Sequence, residues 1–252
     1  MTRPAHAQAA YGRRLEWGLA GARALVADAR PGDVAVVVDV LSFTTSLTVA
    51  VEQGLVVHPY PWHAADAASY AAERGATLAV GRREGLATGA VSLSPVSFLG
   101  ISGLERVVLP SPNGSAISFA LAEAGVTVVG ASLRNAGAVA AWLHDRRPAT
   151  VSVVAAGERW PDGALRPAIE DLWGAGAVLA ALGEDDASPE AGLATAAFRA
   201  VADRLAAALP TCASGRELVE DGFAADVELA AAYDVSTVVP VLYGDAFVDA
   251  TS

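Results

Sequence analysis

Residues 33–45 read DVAVVVDVLSFTT. The run Asp33–Val40 is almost continuous valine, the composition expected of a strand with both faces covered. Asp39 closes that run. Phe43, Leu47, Ala50 and Val51 then recur at i, i+4, i+7 and i+8, which predicts a helix ending at Gly54. A buried strand leading directly into a helix is the building unit of a layered α/β fold.

The same alternation continues outward. Strands are expected at Leu55–His58, Thr77–Val80, Arg106–Leu109, Val126–Val129 and Val151–Ala155, with a helix at Trp62–Arg74 and others beginning near Ser115 and Asn135. From Pro167 the pattern turns helical, at 167–182, 191–209, 213–220 and 224–233, before a last strand at Thr237–Leu242. Phe198, Val201, Leu205 and Leu209 form a core stripe in the longest of these, and GEDDASPE (183–190) reads as an exposed linker. The expected fold is a three-layer α/β/α sandwich with a mixed or mostly parallel sheet and a helical C-terminal portion. Residues 1–252 are read as one domain; a second lobe, if there is one, starts at about 184.

Composition narrows the chemistry. All 17 basic residues are arginine, so Schiff-base, P-loop and general-base lysines are excluded. Any anion must be held by arginine, backbone N–H groups, hydroxyls or a metal. A net charge of −11 without a basic run argues against nucleic acid as a partner. No apolar run approaches the roughly 20 residues of a membrane span, and the N-terminus has no signal-peptide core. A cytoplasmic protein without a membrane partner is expected. The apolar surplus suits a homo-oligomeric interface, although alanine enrichment alone would produce it. Cys212 stands alone and is expected to be a buried or capping residue, and the four histidines lack zinc-site spacing. A metal, if bound, is a hard cation on oxygen ligands.

In open α/β sheets ligands sit beyond the carboxyl ends of the strands. Four segments place polar residues there. Asp39 is followed by the hydroxyls of Ser42, Thr44 and Thr45, where it either caps the helix or binds a ligand. Ser111-Pro-Asn113-Gly114-Ser115 is a turn able to cradle a phosphate on backbone N–H groups. Ser132-Leu-Arg134-Asn135 adds a guanidinium. Residues 156–171 run from Gly157 to the adjacent acids Glu170 and Asp171 at a helix start. Together these point to carboxylates for Mg²⁺ (Asp39, Glu170 and Asp171, which would also be catalytic) and to turns and arginines for the phosphate of a small anionic phosphorylated substrate.

The order of motifs resembles the 2-phosphosulfolactate phosphatase family, also called ComB-like proteins. The resemblance rests on DVLSFTT (39–45), SPNGS (111–115), ASLRN (131–135), AAG (155–157) with IED (169–171), and SGREL, DGFAADV and VVP between 214 and 240. It implies a Mg²⁺-dependent phosphomonoesterase converting 2-phospho-3-sulfolactate to sulfolactate, a step towards coenzyme M. It implicates Asp39, Asn113, Gly114, Asn135, Gly157, Glu170, Asp171, Arg216 and Asp226, with Arg134 and Arg216 as candidates for gripping an anion. The chain departs from the family pattern at Ser42, where arginine is common, at Arg82, where glutamate is common, and at Ala155, where cysteine is common. A non-catalytic metabolite-binding or regulatory protein of the same fold is the rival reading. Haloacid-dehalogenase chemistry lacks its DxD and its lysine, and no GxSxG elbow is present. Gly174-Ala-Gly176 lies within a helical pattern, so it reads as a close-packing site, not a dinucleotide loop.

Overall fold

A computed structural model describes residues 5–61 and 66–251. Strands β1 (Arg13–Trp17), β2 (Val34–Val38), β3 (Val56–Pro61), β4 (Thr77–Leu78), β5 (Arg106–Ser111), β6 (Thr127–Ala131), β7 (Val151–Ala155), β10 (Pro240–Tyr243) and β11 (Ala246–Asp249) form one sheet. Between β7 and β10, β8 (Glu158–Arg159) and β9 (Leu165–Arg166) pair separately as a small hairpin. The large sheet runs β1-β7-β2-β6-β10-β11-β3-β5-β4.

Two parallel groups, β1-β7-β2-β6 and β3-β5-β4, flank the antiparallel hairpin β10–β11. That hairpin is attached through one residue pair on each side, Val241 with Val129 and Phe247 with Val57. The mixed, mostly parallel α/β sandwich expected from the sequence is what is observed.

β2 lies at the heart of the molecule because both its faces are apolar. Val34, Val36 and Val38 enter one core, with the helices Ala136–Arg146, Ile169–Leu182 and Pro189–Arg199. Ala35 and Val37 enter the other, with the helices Gly18–Leu25, Phe43–Glu52 and Gly114–Glu123. The helices after residue 189 share the first of these cores, through Ala191, Ala194 and Phe198 and then Leu205, Leu209, Val227 and Ala230.

Three differences from the sequence reading have physical causes. β1 was unforeseen because RRLEW buries only Leu15 deeply, as an edge strand can. The helix expected at 191–209 breaks after Arg199. 3₁₀ turns at Ala202–Arg204 and Leu209–Thr211 flank one short α-helix, Leu205–Ala208, which stops ahead of Pro210, a residue with no N–H to donate. Its stripe survives, since Phe198, Val201, Leu205 and Leu209 are all buried. The helix expected from Trp62 is seen at Ala67–Glu73; Trp62 itself lies outside the described residues. The linker 183–190 is exposed over Glu184–Asp186 but tied to β1, with Asp186 accepting from Gly12 N–H (2.8 Å).

Gly174 and Gly176 are close-packing positions. A Cβ on Gly176 would stand 2.0 Å from the Ala194 carbonyl oxygen, and one on Gly174 would stand 2.7 Å from methyls of Val38 and Val40. No helix among the described residues is long and apolar enough to cross a membrane.

Candidate active site

Asp39 leaves β2 at its carboxyl end and is nearly buried. Its Oδ1 accepts the N–H of Phe43 (3.1 Å), the first residue of the following helix. Its Oδ2 accepts the N–H of Gly114 (2.8 Å), the first helical residue after β5. The two parallel groups of strands therefore fold toward one another across the hairpin and meet at this carboxylate. Only glycine suits position 114, because a Cβ there would lie 2.7 Å from Asp39 Oδ2 and 2.6 Å from the Phe43 ring. Burial raises the Asp39 pKa, opposed by the two N–H donors and by the charge of Arg82.

Asp39 lines a cavity of about 660 Å³. Ser42, Ser111, Asn113, Glu158 and Ser214 share its wall with four arginines: Arg82, Arg83, Arg159 and Arg166. Asn113 Nδ2 donates to Glu158 Oε2 (3.0 Å). Burial, reinforced by the negative charge of Asp39, pushes Glu158 up to about 7. Arg82 Nη2 donates to Ser42 Oγ (2.5 Å), and its Nε stands 3.4 Å from Asp226 Oδ2. Two of the three positions at which the chain departs from the family pattern, 42 and 82, are thus in direct contact.

The other expected residues divide into two groups. Asp171 and Gly157 support the floor: Asp171 Oδ1 accepts from Val40 N–H (2.7 Å) and Oδ2 from Gly157 N–H (2.8 Å). Burial, together with the charges of Asp39 and Glu170, drives the Asp171 pKa well above the ordinary carboxylate range. Glu170 is buried beside Cys212, whose Sγ lies 3.4 Å from Oε2. Asp226 is buried, accepts from Ser94 Oγ (2.5 Å), and holds Arg82.

The remaining side chains serve the scaffold. Thr44 and Thr45 are fully buried and donate to the carbonyls of Asp39 and Val40. Ser115 bonds both backbone groups of Tyr60. Asn135 caps the turn after β6, accepting from Ser132 N–H and donating to the carbonyls of Gly130 and Val238. Arg134 is committed to Glu52 and to the Leu229 carbonyl. Arg216 is exposed, while its neighbours Ser214 and Glu217 line the cavity.

Of the three acids expected to hold a cation, Asp39 alone reaches the cavity wall. Among the described residues no three carboxylate, imidazole or thiol side chains converge as a metal cage. Asp171, like Asp39, presents both oxygens to backbone N–H groups, but unlike Asp39 it does not line the cavity. The donor set still fits Mg²⁺, which needs only one or two carboxylates when waters and substrate phosphate complete its octahedron. The fit is to Asp39 alone, with Asp171 and Glu170 behind it.

Within 156–171 the sequence reading names Gly157, Glu170 and Asp171 but not Glu158, Arg159 or Arg166, because it does not foresee the hairpin that carries these three. Pro161-Asp162-Gly163 is a turn signature that would have revealed it. Gly163 has a φ of 84° and Asp162 accepts from Ala164 N–H, folding β8 against β9 with Glu158 opposite Arg166.

The sequence is similar to known proteins along most of its length. The family description "2-phosphosulpholactate phosphatase" matches residues 22–245. A probable 2-phosphosulfolactate phosphatase of Deinococcus radiodurans is 31% identical over 225 residues, covering 86% of this chain and 91% of that protein. One of Thermus thermophilus is 32% identical over 218 residues, covering 84% and 89%. With a family match spanning the residues that build the cavity, the chain belongs to the 2-phosphosulfolactate phosphatase family.

Proposed function

We propose that this protein hydrolyses the phosphate ester of 2-phospho-3-sulfolactate, giving 3-sulfolactate and phosphate, with Mg²⁺ as cofactor. One observation carries the reading: a buried carboxylate, Asp39, is fixed by two backbone N–H groups at the wall of a cavity that four arginines also line. A lysine-free site that must take a polyanion needs this combination. The names of the two relatives supply the substrate.

In this reading Asp39 would hold Mg²⁺, which when bound supplies positive charge to the phosphoryl oxygens. Arg82 lies close enough for its charge to act on Asp39, and it holds the phosphate on the same side. Asn113 orients Glu158, whose pKa near 7 suits a group that gives a proton to the departing hydroxy-acid oxygen. Glu170 and Asp171 act behind Asp39, Asp171 by fixing the backbone of Val40 and Gly157.

The test is phosphate release from 2-phospho-3-sulfolactate with Mg²⁺, with EDTA, and with Asp39→Asn. Release that depends on Mg²⁺ and falls at least a hundredfold in the variant is expected (about 3 kcal/mol of barrier). A protein that releases no phosphate with Mg²⁺ or Mn²⁺ is instead the non-catalytic member of the fold.

A further inference from the structure

The four arginines of the cavity are not equivalent. Arg82 is paired with Asp226, and Arg83 with Asp221 at 2.9 Å. Arg159 is exposed and donates to the carbonyls of Gly163 and Pro112. Arg166 is different: it is half-buried, and its Nη2 donates to a neutral group, Ser214 Oγ, at 3.0 Å. Among the described residues no carboxylate stands within 4 Å of its guanidinium, although its charge reaches Glu158.

Position 166 is also held firmly. It sits directly across the small ladder from Glu158, so both side chains leave the hairpin on one face. Its carbonyl oxygen lies 3.1 Å from where a Cβ on Gly157 would be, which seats β9 tightly against the end of β7. The cavity therefore has a balanced cation beside Asp39 and two unbalanced ones on the hairpin, Arg159, which is exposed, and Arg166, which is half-buried. Among the described residues the Arg166 guanidinium meets, besides Ser214, only the Trp160 ring, 5.8 Å from its carbon centre. A guanidinium without a carboxylate at ion-pair distance in a partly dry site is stabilised by an anion that matches its fork.

We infer that Arg166 is the specificity residue that reads a second acidic group of the substrate, a carboxylate or sulfonate carried by the leaving alcohol. The inference rests on the phosphatase reading and adds that the enzyme selects phosphorylated acids over phosphate esters of uncharged alcohols. Ser214 positions the guanidinium for that contact.

The experiment compares kcat/KM for 2-phospho-3-sulfolactate, 2-phospholactate and phenyl phosphate, whose leaving group carries no acid. In Arg166→Gln the preference for the two phosphorylated acids over phenyl phosphate is expected to fall about 10- to 100-fold, the worth of a charge-assisted hydrogen bond. Arg166→Lys should recover part of that preference, and Ser214→Ala should lose a smaller part of it. Far-ultraviolet circular dichroism and the unfolding midpoint of each variant establish that it folds. An unchanged preference in folded Arg166→Gln overturns the inference while leaving the phosphatase reading intact. If the wild-type protein hydrolyses none of the three esters, the phosphatase reading fails, and the inference with it.

Discussion

Gly114 shows how closely a single position can be tied to the site. Its backbone angles suit any residue, so its requirement is purely steric: the space for a Cβ is filled by Asp39 and Phe43. Gly114→Ala should push the Asp39 carboxylate off its N–H donor. A loss of about 1–3 kcal/mol in urea unfolding, with a fall in turnover, is the expected result. An alanine variant of wild-type stability and rate would refute the clamp. Cys212 makes a second, simpler case. Its thiol is buried, caps the helix Ala213–Glu220 by accepting from Gly215 N–H, and is pushed up to about 12 by burial. Reaction with a thiol reagent at pH 8 should be slow in the native protein and complete in urea; fast native reaction would contradict its burial. Asp39 and Cys212 were legible in the sequence because each acts in part on near chain neighbours, Phe43 and Gly215. Gly114 and Gly157 were legible from the order of motifs, their partners Asp39 and Asp171 lying further off along the chain. Glu158, Arg82 and Arg166 were not, because an arginine lines a cavity or faces water according to which distant element folds beside it. Arg134 shows the converse, a good local position that the tertiary fold turns to Glu52 and the Leu229 carbonyl, while Arg216 is left exposed.

At the scale of elements, the helix pair Ile169–Leu182 and Pro189–Arg199 offers two glycines with opposite expectations. Gly176 lies where the helices cross, and a Cβ there would meet the Ala194 carbonyl at 2.0 Å. Backbone cannot yield as a side-chain tip can, so Gly176→Ala should destabilise the protein by about 1–3 kcal/mol or more. Gly192 is exposed in the first turn of the second helix, with nothing within 4 Å of its Cβ position. Gly192→Ala should raise stability by up to about 1 kcal/mol through helix propensity alone. Equilibrium unfolding of both variants checks the pair, and equal signs would mean that the crossing is misplaced. The close-packing role of Gly174-Ala-Gly176 was readable from its helical context, as were the valine-rich strands. The β10–β11 hairpin was half-read: Thr237–Leu242 was expected, whereas Ala246–Asp249 was not. Neither that hairpin nor β1 carries the long β-branched run that marks a central strand. The joining of the two parallel groups by this hairpin is a long-range fact that local periodicity does not encode.

For the molecule as a whole, the carboxylates gathered around the cavity give stability a pH dependence whose sign can be worked out. Glu158 is raised from about 4.5 to about 7, and Asp171 and Asp226 are also raised, in each case chiefly by burial. Between the unfolded and folded pKa values, the native protein binds protons that the unfolded chain has released. Stability therefore falls as pH rises through that window, and the full stabilisation is present only below the unfolded values. His58 opposes the trend, because burial lowers its pKa and so favours the native state as pH rises past the usual histidine range. One histidine set against several carboxyls leaves the carboxyl sign in control. In metal-free buffer the unfolding free energy should therefore increase as pH is lowered from 8 to about 5.5. Glu158→Gln isolates one of these contributions. Glutamine keeps an acceptor for Asn113 Nδ2 and removes the charge that burial and Asp39 disfavour. The variant should exceed the wild type by about 1–3 kcal/mol at pH 8, with the gap closing towards pH 4.5. Urea unfolding across that range with EDTA present reads it directly. A gap that is constant with pH, or that widens on acidification, would show that Glu158 does not titrate near 7 in the folded protein.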